Sequence, residues 1–142
     1  MKWKPVRART TKINRAPAPR RELEHYCRDL NGWPRSRMGL EKDLPPGEQL
    51  MALFRPFLEH LAASDLTPKT IQQHVDNMWA LGGEFIRDLH NDPSMRKKPV
   101  EQALLQMIEY GGPLLYHGGE DQQRSFDSTC RKFRRFLTAT AR

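Results

Sequence analysis

A chain of 142 residues is long enough for one ordinary domain with a real core and too short for two domains plus a linker. With 37% hydrophobic and 29% charged residues, and no apolar run near the ~18 residues a membrane span needs, it is not expected in a membrane, and a cytoplasmic location is expected. The net charge of +7 is unevenly spread: residues 1–38 hold 11 Lys/Arg against 3 Asp/Glu, whereas residues 39–142 hold 13 against 14.

That basic N-terminal stretch includes Lys2, Lys4, Arg7, Arg9 and Lys12, and it also holds Pro5, Pro17 and Pro19. Its first twenty or so residues cannot bury enough apolar surface to offset the entropy of ordering, so residues 1–38 read as a largely disordered, flexible basic arm. No apolar stretch of secretory-signal length follows the basic start. Within the arm a short helix is expected over 20–30, because Leu23, Tyr26, Cys27 and Leu30 recur at the 3–4 spacing of a buried stripe. Asn31-Gly32, Trp33-Pro34 and Pro45-Pro46-Gly47 are turn and breaker signals, and residues 39–47 read as a linker.

The domain proper is expected over 48–139. Its first helix runs from about Glu48 to Ala63, with Leu50, Phe54, Phe57 and Leu61 on one stripe. Pro56 interrupts that pattern, which predicts either a kink or a helix that starts near Phe54. A second helix is expected from Pro68 to about Leu89, with Ile71, Val75, Met78, Gly82, Phe85, Ile86 and Leu89 on one face. Gly82-Gly83 inside it costs about 1 kcal/mol per glycine against alanine, so close approach of another helix, or a break, is expected there.

Asp92-Pro93 marks a turn, and Pro99 opens a third helix with Val100, Leu104, Met107 and Ile108 inward and Gly111 as its stop. The glycine-rich connection that follows carries no phosphate-loop pattern. The last helix, from near Asp121 or Ser125 to Thr138, places Phe126, Cys130, Phe133 and Leu137 on one side. Arg124, Arg131 and Arg135, flanked by Lys132 and Arg134, fall on the other, with Asp127 as an i, i+4 partner for Arg131. No alternating β-branched run competes, so the fold class is all-α.

Two features point to nucleic acid. At the start of the second helix, Thr67 is an N-cap and Pro68 occupies the first helical position, so Lys69, Thr70, Gln73 and His74 crowd a helix end whose free amides and dipole favour an anion. The arginine strip of the last helix is the second, suited to a duplex backbone. The solvated-face reading stands beside both. Trp3 and Trp33 without a sheet platform make a thin case for single-strand stacking. Cys27 and Cys130 have no ligand spacing, so no metal, structural zinc, disulfide framework or cofactor is expected. His25-Tyr26-Cys27 lacks an orienting acid or second histidine, and no catalytic residue is expected.

FLEHLAASDLTPKTIQQHVDNMWAL (57–81) and, later, SFDSTCRKFRRFLTA (125–139) together resemble the N-terminal core-binding domain of tyrosine recombinases and phage integrases. The resemblance implies a SAM-like four- to five-helix bundle that grips one side of a DNA duplex as half of a clamp. The family's catalytic half, with its His-x-x-Arg and nucleophilic tyrosine, has no counterpart: Tyr26, Tyr110 and Tyr116 lack that partner, and His25, His60, His74, His90 and His117 all fail the spacing. A non-catalytic DNA-binding module is therefore expected, with strand cleavage absent in this chain alone and room for a protein partner that supplies the chemistry. The alternative is a protein-interaction module with an incidental basic tail.

Overall fold

A computed structural model describes residues 23–27, 44–115 and 118–140. The expected site residues Lys2, Lys4, Arg7, Arg9 and Lys12 lie outside them, as does Leu30. Among the described residues there are five α-helices, one 3-10 helix and no strand, an all-α bundle. The helices are α1 (Leu23–Tyr26), α2 (Leu44–Ala62), α3 (Pro68–Asn91), α4 (Val100–Met107) and α5 (Glu120–Thr140); the 3-10 helix spans Pro93–Lys97.

The short helix expected within 20–30 is present as α1, and Leu23, Tyr26 and Cys27 are buried in the same core as the other helices. Gln72 of α3 donates to the Tyr26 carbonyl at 3.1 Å and fixes that docking. Part of the basic stretch therefore belongs to the bundle.

Helix α2 begins at Leu44, inside the segment read as a linker and well before Phe54. The reason is that the first turn of a helix has amides without intrahelical partners, so Pro45 and Pro46 forfeit nothing there, and Gly47 is buried. α2 also continues through Pro56 as one helix. Pro56 and Ala52, whose carbonyl loses its partner, are both exposed, so water can satisfy the orphan.

Ser64 closes the turn after α2: its hydroxyl donates to the Leu61 carbonyl at 2.6 Å and accepts the Leu66 amide at 3.3 Å. Helix α3 follows, and all seven residues of its expected apolar face are buried. It runs unbroken through the glycine pair, with Gly82 buried and open space around Gly83.

Asp92 then caps the 3-10 helix through Ser94, and α4 buries Ala103 and Leu104, with Ile108 just beyond. Gly111, at φ +123°, turns the chain where a side chain would be strained.

The core is aromatic. Phe54, Phe57, Phe85, Phe126 and Phe133 are fully buried, and Phe133 meets Phe54 edge-on at 5.3 Å and Phe57 at 5.1 Å. α3 lies at the centre, packed most extensively on α5 and on α2.

Candidate nucleic-acid interface

Thr67 is the N-cap of α3, in extended conformation, and its Oγ1 accepts the Thr70 amide at 3.2 Å. The same hydroxyl donates to Thr70 Oγ1 at 2.9 Å, so Thr70 is engaged in capping. Lys69 is exposed beside it.

Gln73 and His74, expected to face a ligand, hydrogen-bond to α5 instead. Gln73 Nε2 donates to Ser125 Oγ at 2.7 Å, and His74 Nδ1 lies 2.7 Å from Thr129 Oγ1. Asn77, buried and not singled out by the sequence, donates to Ser125 Oγ at 3.1 Å, to the Ser125 carbonyl at 3.2 Å and to Thr129 Oγ1 at 2.9 Å. Thr129, fully buried, is also 3.3 Å from the Ser125 carbonyl. The α3–α5 seam is thus a closed polar network in an otherwise apolar bundle. Its sequence signal is three amide or imidazole side chains within five residues of α3, and a serine and threonine one turn apart on α5 beside the apolar stripe.

This network fixes the register. Asn77 meets Ser125 and His74 meets Thr129, so the two helices run antiparallel, and the first turn of α3 faces the stretch of α5 around Lys132 to Phe136. Lys69, Gln73 and Asn77 are spaced i, i+4, i+8 along one ridge of α3. Ser125, Ser128, Lys132 and Arg135 are spaced i, i+3, i+7, i+10 along the facing ridge of α5. Lys69, Lys132 and Arg135, from sequence stretches more than sixty residues apart, therefore border the same end of the seam. His60 stands nearby at the end of α2, its ring 5.2 Å from that of Phe136.

The rest of the arginine strip divides. Arg124 pairs with Asp121 on the surface, so its charge is partly matched. The expected partnership of Asp127 with Arg131 does not form: Asp127 Oδ1 accepts the Gly112 amide at 2.9 Å and the Gln123 side chain at 2.9 Å, and ties the α4–α5 loop to α5. Arg131 and Arg134 are exposed on the side of α5 turned towards that loop. Among the described residues, Lys69, Arg131, Lys132, Arg134 and Arg135 form no ion pair.

Burial lowers the tendency of His74 to take a proton, and the charge of Lys132 lowers it further. At neutral pH the ring is uncharged. The thiols lie at the other extreme. Burial, followed by Glu24, pushes Cys27 up to about 11, and burial, followed by Asp127, pushes Cys130 up to about 12. Neither supplies a thiolate near pH 7. Among the described residues there is no cluster of metal-ligating side chains and no helix long and apolar enough to cross a membrane.

No protein-family model, curated protein or solved structure matches the chain.

Proposed function

We propose that the chain is a duplex-DNA-binding module without catalytic chemistry, holding the phosphate backbone along the outer edge of the α3–α5 seam. One observation carries this reading. The antiparallel register gathers Lys69, Lys132 and Arg135 at one end of two packed helices, with no carboxylate paired to any of them among the described residues. Unpaired cations on rigid helices suit phosphates, which position a protein without reading sequence. The N-terminus of α3 adds its dipole at the same end. The resemblance of residues 57–81 and 125–139 to recombinase core-binding domains favours the same partner, and the cations of residues 1–22 would add sequence-independent affinity.

The test compares the full chain with one lacking residues 1–19, which keeps α1, by titration against duplex DNA at two salt concentrations. The shortened chain is expected to retain weak, salt-sensitive affinity, and Lys69→Ala or Arg135→Ala to lower both affinity and the log–log salt slope, by about 0.9 for each lost phosphate contact. Loss of all binding on removal of residues 1–19 would show that the bundle is not the binding element.

A protein-interaction role rests on a different observation: Tyr110 is 90% exposed and Leu114 67% exposed, on the connection between α4 and α5. It predicts a partner whose binding is lost with Tyr110→Ser and is indifferent to Lys69 and Arg135.

A further inference from the structure

We propose that docking of a duplex on the α3–α5 seam is coupled to uptake of one proton by His74, so that the seam binds more tightly as pH falls. This coupling rests on the reading of the seam as a backbone-binding surface and specifies how that surface is regulated.

The Thr129 hydroxyl is the pivot. It has one proton and two acceptors within reach, His74 Nδ1 at 2.7 Å and the Ser125 carbonyl at 3.3 Å. With His74 neutral and its proton on Nε2, Thr129 donates to Nδ1 and accepts from Asn77. With His74 protonated, Nδ1–H donates to Thr129 Oγ1, which still accepts from Asn77 and turns its own proton to the Ser125 carbonyl. Both states leave Thr129 fully bonded, with no heavy atom displaced. A half-buried histidine whose hydrogen-bond network closes in either protonation state can titrate without opening the helix pair.

What holds the proton off is burial and charge. Lys132 is one turn along α5 from Thr129 and is the only charged group, among the described residues, that acts on the ring. On α3 itself, Lys69 and Asp76 are turned about 140° and 160° from His74 at 100° per residue, Lys69 lying on the Gln73 edge of the seam. Asp76 accepts Gln72 instead. His74 makes no ion pair among the described residues. A carboxylate that would balance the imidazolium is therefore missing from the protein side of the seam. A phosphate placed on Lys132 supplies that negative charge, offsets the repulsion, and draws the proton onto His74. By linkage, the proton draws the phosphate equally.

The experiment uses the full chain and a mixed-sequence DNA duplex of about 20 base pairs, a length well beyond one helical turn. The His74 ring signal, assigned by its loss in His74→Asn, is followed by NMR from pH 8 to pH 5 with and without duplex, and affinity is measured over the same range at fixed salt. Saturation with duplex is expected to move the His74 midpoint upwards. The chain should gain affinity more steeply than His74→Asn as pH falls, with about tenfold per pH unit as the ceiling for one linked proton. Lys132→Gln is expected to raise the His74 midpoint of the free chain and to shrink its shift on binding, which tests the coupling in a chain that keeps the histidine. If the duplex binds in a Lys132- and Arg135-dependent manner while the His74 midpoint stays where it was, the proton coupling is wrong and the binding surface stands. If Lys132→Gln and Arg135→Gln leave affinity untouched, the duplex does not sit on the seam, and surface and coupling both fall.

Discussion

Gly112 and Gly83 answer differently to the same added methyl group. A Cβ on Gly112 would lie 2.4 and 2.7 Å from the ring of Phe126 and 2.8 Å from Cys130 Sγ, all within the buried core. Neither partner is the loose end of a flexible chain, so Gly112→Ala is expected to destabilise the fold by about 1–3 kcal/mol in urea titrations. Gly83 lies within α3, and a Cβ added there would meet nothing within 4 Å, so Gly83→Ala is expected to stabilise by about 0.5–1 kcal/mol through helix propensity alone. Opposite signs in one denaturation series would confirm that α3 is continuous through its glycine pair and that the α4–α5 connection presses on α5. A shared sign would contradict one of these packings. Both glycine pairs are plain in the sequence but cannot be told apart there, because what separates them is a contact made by residues 126 and 130, distant in the chain.

At the scale of elements, α3 and the apolar side of α5 were legible from periodicity, since each buries every residue its stripe assigns: Ile71 to Leu89 on one, Phe126 to Leu137 on the other. The start of α2 was not. Pro-Pro-Gly reads as a breaker in isolation, and only the helix that follows makes it a first turn. The candidate site was half legible. Lys69, Arg124, Arg131, Arg134 and Arg135 are exposed and Lys132 is half-buried, but Gln73 and His74 are bonded across the seam, because a polar side chain near a helix start looks the same whether its partner is solvent or another helix. The seam also sets an acid sensitivity. His74 is held below its ordinary value of 6.5, so above that value folded and unfolded chains both keep it neutral and the seam is at full strength. As pH falls below 6.5 the unfolded chain takes up the proton first; stability declines until pH passes the lowered folded value and then levels. The urea midpoint of the free chain should therefore fall more steeply between pH 7 and pH 5 than that of His74→Asn. Parallel profiles for the two would mean that the ring does not resist protonation in the fold.

For the whole molecule, the placement of Leu23, Tyr26 and Cys27 in the core changes how the chain divides. Removing residues 1–38 deletes three buried side chains, and the loss of Leu23 and Tyr26 alone should cost about 3–6 kcal/mol at a typical per-residue burial value. Removal of residues 1–19 should leave the melting temperature of the bundle within a few degrees of the full chain, and calorimetry on the two truncations separates these outcomes. Charge also acts at this scale. Residues 39–142 are nearly neutral, so any attraction for a polyanion depends on where cations stand relative to acids, and at the seam end Lys69, Lys132 and Arg135 form no ion pair among the described residues. The hydrogen bond from Gln72 to the Tyr26 carbonyl then acquires a geometric meaning. It moors the N-terminal stretch to the flank of α3 turned away from Gln73 and Asn77, across the helix from the seam. Whatever path they take, the 22 residues before Leu23 are leashed there, with a contour of roughly 75 Å at full extension. Under the proposed function, a duplex held on the seam lies within that contour length of the cations that precede Leu23.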